Sequence, residues 1–284
     1  KILSKVRKTL KEVDVFQFRG PTGIGVFVIP YLMWGTSKKG WFKYGGNWNQ
    51  KNAPIAFAFQ RWLLKHQDRR VTINGKWPDQ PQHCLSFENP CLTLEERSAG
   101  LEIISQKEYS DPFHVCFVGR LDDAKGVHYI VEALELLRES KQVGTFHFIG
   151  DGPNKREYQA ICQDLKIRTE FHGFLPRDAV FKIYEQCHFI VLPSKSEGFP
   201  KVIAEGMNYG CIPIVSDVSS IRQYVEPSGF MLEHLSGLCV SEAMALAMQQ
   251  SEAILREKAT TGHKETERFT YKHYNQRVLK ELIT

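Results

Sequence analysis

The chain has 284 residues, 42% of them hydrophobic and 24% charged, a balance that excludes a disordered or fibrous protein and leaves room for two domains. Its net charge of +5, from 37 basic and 32 acidic residues, is too mild to argue for nucleic acid as a partner. There is no uninterrupted apolar run of about eighteen residues and no N-x-[ST] acceptor, and the seven cysteines are irregularly spaced without a C-x-x-C, all of which points to a reducing, cytoplasmic setting.

In chain order, Lys1, Lys5, Arg7, Lys8 and Lys11 alternate with Ile2, Leu3, Val6 and Leu10 at helical spacing. Such a basic amphipathic helix suits either a solvated domain face or a peripheral contact with an anionic membrane surface, at the inner face of the cell membrane. A strand is predicted over 14–18, a helix over 22–34, a strand over 40–44, a helix over 54–66, and strands over 71–73 and 84–87. Gly23 and Gly25 fall inside the predicted helix and are weak as a dinucleotide fingerprint. The loops after the first two strands place Arg19, Tyr44 and Asn47 as acceptor-side candidates. Trp34, Trp41, Trp48, Trp62 and Trp77 all lie in this half, suited to core packing or to stacking on sugars. Asn89-Pro90 closes the first domain, and Thr93 and Glu96 form a capping box for a helix running toward 106, a stretch that is the hinge candidate. The polar stretch 108–112 puts the domain boundary near 110.

Beyond it, strands are predicted over 113–118, 145–149, 169–173, 188–193 and 211–215, alternating with helices over 127–140, 154–165, 177–187, 200–209 and 220–225, the pattern of a doubly wound parallel sheet. A short edge strand ends near Phe230, and helices over 239–249, 251–260 and 271–283 finish the chain. The expected division is 1–110, 111–262, and a final helical segment 263–284 that returns toward the first domain.

The chemistry gathers at the strand ends, where open α/β sheets bind ligands. Gly119, Arg120 and Lys125 follow the strand over 113–118, and a guanidinium and an ammonium aimed at one point would neutralise a diphosphate without a metal. Their plain alternative is surface pairing with Asp122 or Asp123. Gly150 and Gly152 form a strand-to-helix turn that permits close backbone approach. Phe174 and Leu175, after His172-Gly173, suit either a nucleobase contact or core packing. Glu197 stands at the entrance of the helix over 200–209, beside Gly198, Phe199, Pro200, Lys201 and Val202, where unpaired backbone amides favour a phosphate. Glu197 and Glu205 would then accept hydrogen bonds from neutral polyols on either side of that phosphate, such as a sugar and a ribose. A diphosphate flanked by two polyols is a nucleotide sugar.

The run Glu197-Gly198-Phe199-Pro200 to Glu205 resembles the E-x7-E signature of retaining GT-B glycosyltransferases, in particular glycosyltransferase family 4. Gly119-Arg120-Leu121 with Lys125-Gly126, Gly150-Asp151-Gly152-Pro153 and His172-Gly173-Phe174 stand before it in the family's order, so the likeness spans roughly 112–225. It implies two Rossmann-like doubly wound domains, the first truncated, because the N-terminal elements are similar only to the later half of that domain in the family. It implies retention of configuration, no metal or other cofactor, a nucleoside diphosphate sugar as donor, and a glycan or lipid-linked glycan as acceptor in surface polysaccharide synthesis. Arg120 and Lys125 would stabilise the departing diphosphate and Glu197 would orient the sugar. The rival expectations are a sugar-nucleotide epimerase of the same fold and a non-catalytic nucleotide-sugar-binding module.

Overall fold

The computed structural model describes residues 1–283. It contains two compact units. One is Lys1–Asn89 with the segment from Tyr271 onward; the other is Pro90–Thr270.

In the first unit, α1 (Ile2–Lys11), β1 (Val15–Gly20), α2 (Gly25–Trp34), β2 (Lys39–Tyr44), α3 (Ile55–Lys65), β3 (Val71–Ile73) and β4 (Cys84–Ser86) follow one another. The four strands form a parallel sheet in the order β1-β2-β3-β4. Val28, Ile29 and Leu32 of α2 meet Phe42, Tyr44, Val71 and Ile73 in one core. Val6 and Leu10 of α1 pack on that core too, so this part of the basic helix's apolar side is used in the fold, while Ile2 and Leu3 stay exposed. Lys43 is buried at the end of β2 and donates to the Phe87 carbonyl at 2.7 Å. Its pKa is lowered to about 7, chiefly by burial. Helix α2 begins at Gly25, so Gly23 precedes it.

The second unit runs α4 (Leu94–Gln106), β5 (Phe113–Val118), α5 (Val127–Leu136), β6 (Val143–Ile149), α6 (Lys155–Gln163), β7 (Arg168–Gly173), α7 (Arg177–Gln186), β8 (Phe189–Leu192), α8 (Lys201–Asn208), β9 (Ile212–Ser216), α9 (Ile221–Val225), β10 (Phe230–Leu232), α10 (Gly237–Met248) and α11 (Glu252–Glu265). Helix α12 (Tyr271–Val278) then belongs to the first unit, where Arg277 donates to the Ser86 carbonyl at 2.8 Å and pairs with Glu88 at 3.1 Å. The sheet order is β10-β9-β8-β5-β6-β7, all parallel. Counted from β5, the chain moves outward through β6 and β7, returns to β8 on the other side, and moves outward again. This is the doubly wound order with its reversal between β5 and β8. Both faces are covered, so the strands are apolar runs: Ile190 and Val191 of β8 are fully buried.

The division at Asn89/Pro90 replaces the boundary expected near 110. Helix α4 lies on the second unit: Arg97 donates to Asn208 Oδ1, the His263 carbonyl and Thr266 Oγ1 at 2.7–3.0 Å. A Cβ on Gly100 would come within 2.1 Å of the Asn208 carbonyl oxygen. Just after α4, buried Lys107 donates to the carbonyls of Tyr184, Cys187 and Tyr209 at 2.7–2.9 Å. These carbonyls close α7 and α8, and a cation there satisfies helix ends that would otherwise be buried unpaired. All seven cysteines are free and buried, and burial pushes the Cys84, Cys91 and Cys162 thiols up to about 12. Among the described residues no helix is long and apolar enough to cross a membrane.

Candidate functional site at the sheet reversal

The reversal leaves a crevice at the carboxyl ends of β5 and β8, and the loops that follow these two strands carry the site. They are joined by backbone: the Lys195 amide donates to the Ala124 carbonyl at 3.0 Å. Gly126 has φ +73° and lies so close to the other loop that a Cβ would come within 2.1 Å of the Pro193 carbonyl oxygen, a place only glycine fills. Across this junction Lys125 Nζ donates to Glu197 Oε1. Glu197 is mostly buried and Lys125 about one-third exposed. The cation after β5 and the acid after β8, separated by 72 residues, thus meet at the reversal itself.

The Glu197 loop is held from behind. Phe199 is buried, stacked on Phe269 at 4.6 Å between ring centroids and edge-on to Tyr224 at 4.9 Å, and Ser220 Oγ donates to the Gly198 carbonyl at 3.1 Å. The Phe199 side chain is therefore an anchor for the loop, which leaves its backbone at the helix entrance. Val202 likewise packs against the core. Pro200 is the N-cap of α8 rather than its first residue, and no side chain caps that helix. The same is true of α5, α6, α7 and α9, which also follow strand ends of this sheet. Helices α4, α10 and α11 are capped by Thr93, Ser236 and Ser251. A helix start without a cap keeps amide donors for an anion.

Gly119, Arg120, Gly150, Asp151, Phe174 and Leu175 line a cavity of about 350 Å³ together with Val118, Ile149 and Val180. Gly150 has φ +128°, and a Cβ there would come within 1.9 Å of the Gly119 carbonyl oxygen; at Gly152 it would meet the Leu121 carbonyl oxygen at 2.2 Å. These glycines let the loops after β5 and β6 interlock, which shapes the cavity wall. Phe174 is 86% exposed, which rules out core packing for its ring, whereas Leu175 packs partly on Val180 and its neighbours. Arg120 is 69% exposed and forms an ion pair with Asp122 at 3.0 Å. A pair so exposed contributes little and exchanges readily for a stronger anion. Lys201 is exposed at the first turn of α8.

Glu205 is partnered. Arg177, at the start of α7, donates to Glu205 Oε1 at 2.8 Å, to Glu96 Oε1 and Oε2 at 3.2 and 2.9 Å, and to the Cys91 carbonyl. Burial raises the Glu205 pKa, opposed by the charge of Arg177. Burial alone would lower that of Arg177, but its hydrogen bond to Glu96 and the charge of Glu205 outweigh this and raise it. Sequence reasoning missed Arg177 and the second role of Glu96, since nothing in local spacing signals contacts across 28 and 81 residues. The structure groups Arg120, Lys125, Glu197 and the α8 start in the second unit. In the first unit, Arg19 is exposed and Asn47 half-buried. Tyr44 is corrected as an acceptor contact: it is 1% exposed, with its ring edge-on to Trp48 at 5.1 Å, because the last residue of β2 turns into the core.

A reversal-order sheet with paired cation and acid at its crevice, uncapped helix starts and an adjoining cavity is a doubly wound Rossmann-like unit, accompanied here by a second Rossmann-like unit. The description "Glycosyl transferases group 1" matches residues 101–275, and the chain belongs to that enzyme family. It is 29% identical over 159 residues to an uncharacterised glycosyltransferase of Methanocaldococcus jannaschii, covering 55% of this chain and 38% of that one. It is 31% identical over 172 residues to the 2-deoxystreptamine glucosyltransferase of Streptomyces kanamyceticus, covering 55% and 44%. The matches thus take in less than half the length of these relatives. Its fold is that of Anabaena HepE, solved in complex with UDP and glucose, with a TM-score of 0.77 and 17% identity over 99% of this chain and 81% of that one. The architecture is GT-B, α/β with parallel sheets.

Proposed function

We propose that the chain is the donor-binding and partial acceptor-side portion of a retaining glycosyltransferase of family 4. It moves a sugar from a nucleoside diphosphate sugar to a glycan or lipid-linked glycan acceptor in surface polysaccharide synthesis. The observation that carries this reading is the meeting of Lys125 and Glu197 at the sheet reversal, beside a helix start with no side-chain cap. A diphosphate arriving there is a better partner for Lys125 than a single carboxylate, and Arg120, held only by an exposed pair, turns to the same charge. Glu197, released from Lys125, accepts hydrogen bonds from the hydroxyls of the transferred sugar. As the glycosidic bond lengthens, negative charge grows on the phosphate, where fixed cations and amide dipoles stabilise it most. No metal is called for at the diphosphate, because these groups supply its countercharge. On this reading the acceptor attacks from the face that the diphosphate leaves, so Glu197 orients the sugar and does not become a nucleophile. Glu205, set by Arg177, faces the ribose.

The complex of HepE with UDP and glucose makes UDP-sugars the first donors to screen. Placement on the cytoplasmic side rests on the seven free buried thiols. Contact with anionic lipid rests on the lysines of α1, which are exposed while Val6 and Leu10 pack inward. The test is a thermal-shift screen of nucleoside diphosphates and their sugars, followed by turnover of the donor that binds. A ligand at a hundred times its dissociation constant adds about 2.7 kcal/mol to stability. Glu197→Gln should keep the nucleoside diphosphate shift and lose at least about a hundredfold in kcat, on the scale of removing one preorganised transition-state contact. Unchanged turnover in that variant, or no shift with any nucleotide, would overturn the assignment.

A further inference from the structure

Outside the crevice, β6 and the edge strand β7 carry a second cluster of chemistry-bearing side chains. His147 is the register partner of Glu170 across the two strands, and His172, two residues further along β7, points to the same face. His147 Nδ1 lies 3.0 Å from His172 Nε2, and Glu170 Oε2 lies 3.5 Å from the first nitrogen and 3.6 Å from the second. The other carboxylate oxygen is held by Arg168 at 2.5 Å, which leaves Oε2 turned toward both imidazoles. The His147 side chain is nearly buried, whereas Glu170 and His172 are 30% and 25% exposed, so the cluster is fixed on one side and reachable from the other.

We propose that His147, Glu170 and His172 form a binding site for a divalent transition-metal ion of the zinc class. The three ligand atoms form a nearly equilateral triangle, and the circle through them has a radius of about 2 Å, so an ion just off its plane reaches all three at the usual zinc bond lengths. The ion takes the place of the proton that His147 Nδ1 and His172 Nε2 share in their hydrogen bond, and that proton is released on binding. Two imidazoles and one carboxylate select zinc, cobalt or nickel over magnesium and calcium, which prefer oxygen ligands throughout. Three protein ligands leave a fourth position for water. The ion would fasten the edge strand to its neighbour two residues before Ile149 and next to Gly173. The Gly173 carbonyl accepts from the Gly150 amide at 2.8 Å, and Gly150 lines the cavity beside the crevice. The site thus lies under the donor pocket without contributing to it.

The experiment uses the whole chain, stripped of metal by a chelator and titrated with zinc ion against a chromophoric competitor, with magnesium as control. One equivalent should bind below about 10 µM and raise the melting temperature, and magnesium should do neither. Glu170→Gln and His172→Gln, at the two more exposed positions, should each weaken zinc binding at least tenfold while the metal-free melting temperature stays near that of the parent. Cobalt ion gives a readout on the unaltered protein: visible absorption of a nitrogen and oxygen site without a thiolate charge-transfer band. Zinc uptake that both variants retain in full, a thiolate band with cobalt, or no binding below 10 µM would each overturn the proposal.

Discussion

At the level of single residues, the candidate site was legible in type but not in partnership. Arg120, Lys125 and Glu197 stand out in the sequence because charged residues cluster just past apolar strand-length runs, and strand ends are where open sheets act. That Lys125 would meet Glu197, and Glu205 would meet Arg177, could not be read, because the reversal of strand order that joins these loops is a property of the whole sheet. Tyr44 shows the opposite error: it sits in a loop-adjacent position that suggests ligand contact, and it is turned inward against Trp48. Buried histidines give a prediction at this scale. His188 has its pKa lowered to about 4, first by burial and then by the charge of Lys107, while its Nδ1 accepts from the His114 amide at 2.9 Å. The unfolded chain takes up a proton near pH 6.5 that the native ring refuses, so this residue removes stability as pH falls from 6.5 toward 4. Between pH 7 and pH 5 the loss is about 2 kcal/mol. Urea unfolding at the two values should show a loss in the parent that His188→Gln reduces by about that amount.

Among the elements, strand and helix identities follow from apolar runs of strand length and from the punctuation of Gly and Pro. Strand β5 falls on the predicted 113–118, and α8 on 201–208 within the predicted 200–209. What the sequence hides is which helix starts are capped. The capping box of Thr93 and Glu96 is visible as a pattern and forms as expected, with the Thr93 amide donating to Glu96 Oε2 at 2.8 Å. Asn154 and Ser220 are equally good capping residue types, yet neither caps its helix. On the glycosyltransferase reading these starts trade stability for anion binding, as functional sites often do. Pro200→Asp tests the trade. Its backbone, at φ −75° and ψ 122°, suits an N-cap, and a carboxylate there should add about 0.5–1 kcal/mol to stability while occupying the amides that a phosphate needs. The expected result is a higher melting temperature together with at least tenfold weaker nucleoside diphosphate binding, read by calorimetry.

For the whole molecule, the side of the division on which α4 falls is the feature least visible in the sequence. The polar stretch at 108–112 looks like a linker, but Lys107 is anchored by three carbonyls and Arg97 by three acceptors. Tertiary packing of α4 therefore overrides a local composition signal. Because Pro90–Thr270 contains a six-stranded sheet covered on both faces, that segment expressed alone should fold. It should give a cooperative thermal transition that shifts upward with the same nucleoside diphosphates as the whole chain. A segment that folds but ignores every nucleotide would move donor binding out of this unit. The thiols offer a way to follow the two units separately. Cys84 is the single cysteine of the first unit and the other six lie in the second, all shielded from solvent and four of them held far from ionisation. An alkylating reagent can reach them only when the surrounding structure opens. The rate at which Cys84 is modified under native conditions therefore clocks the opening of one unit while the remaining six clock the other, a pair of built-in reporters that requires no added label.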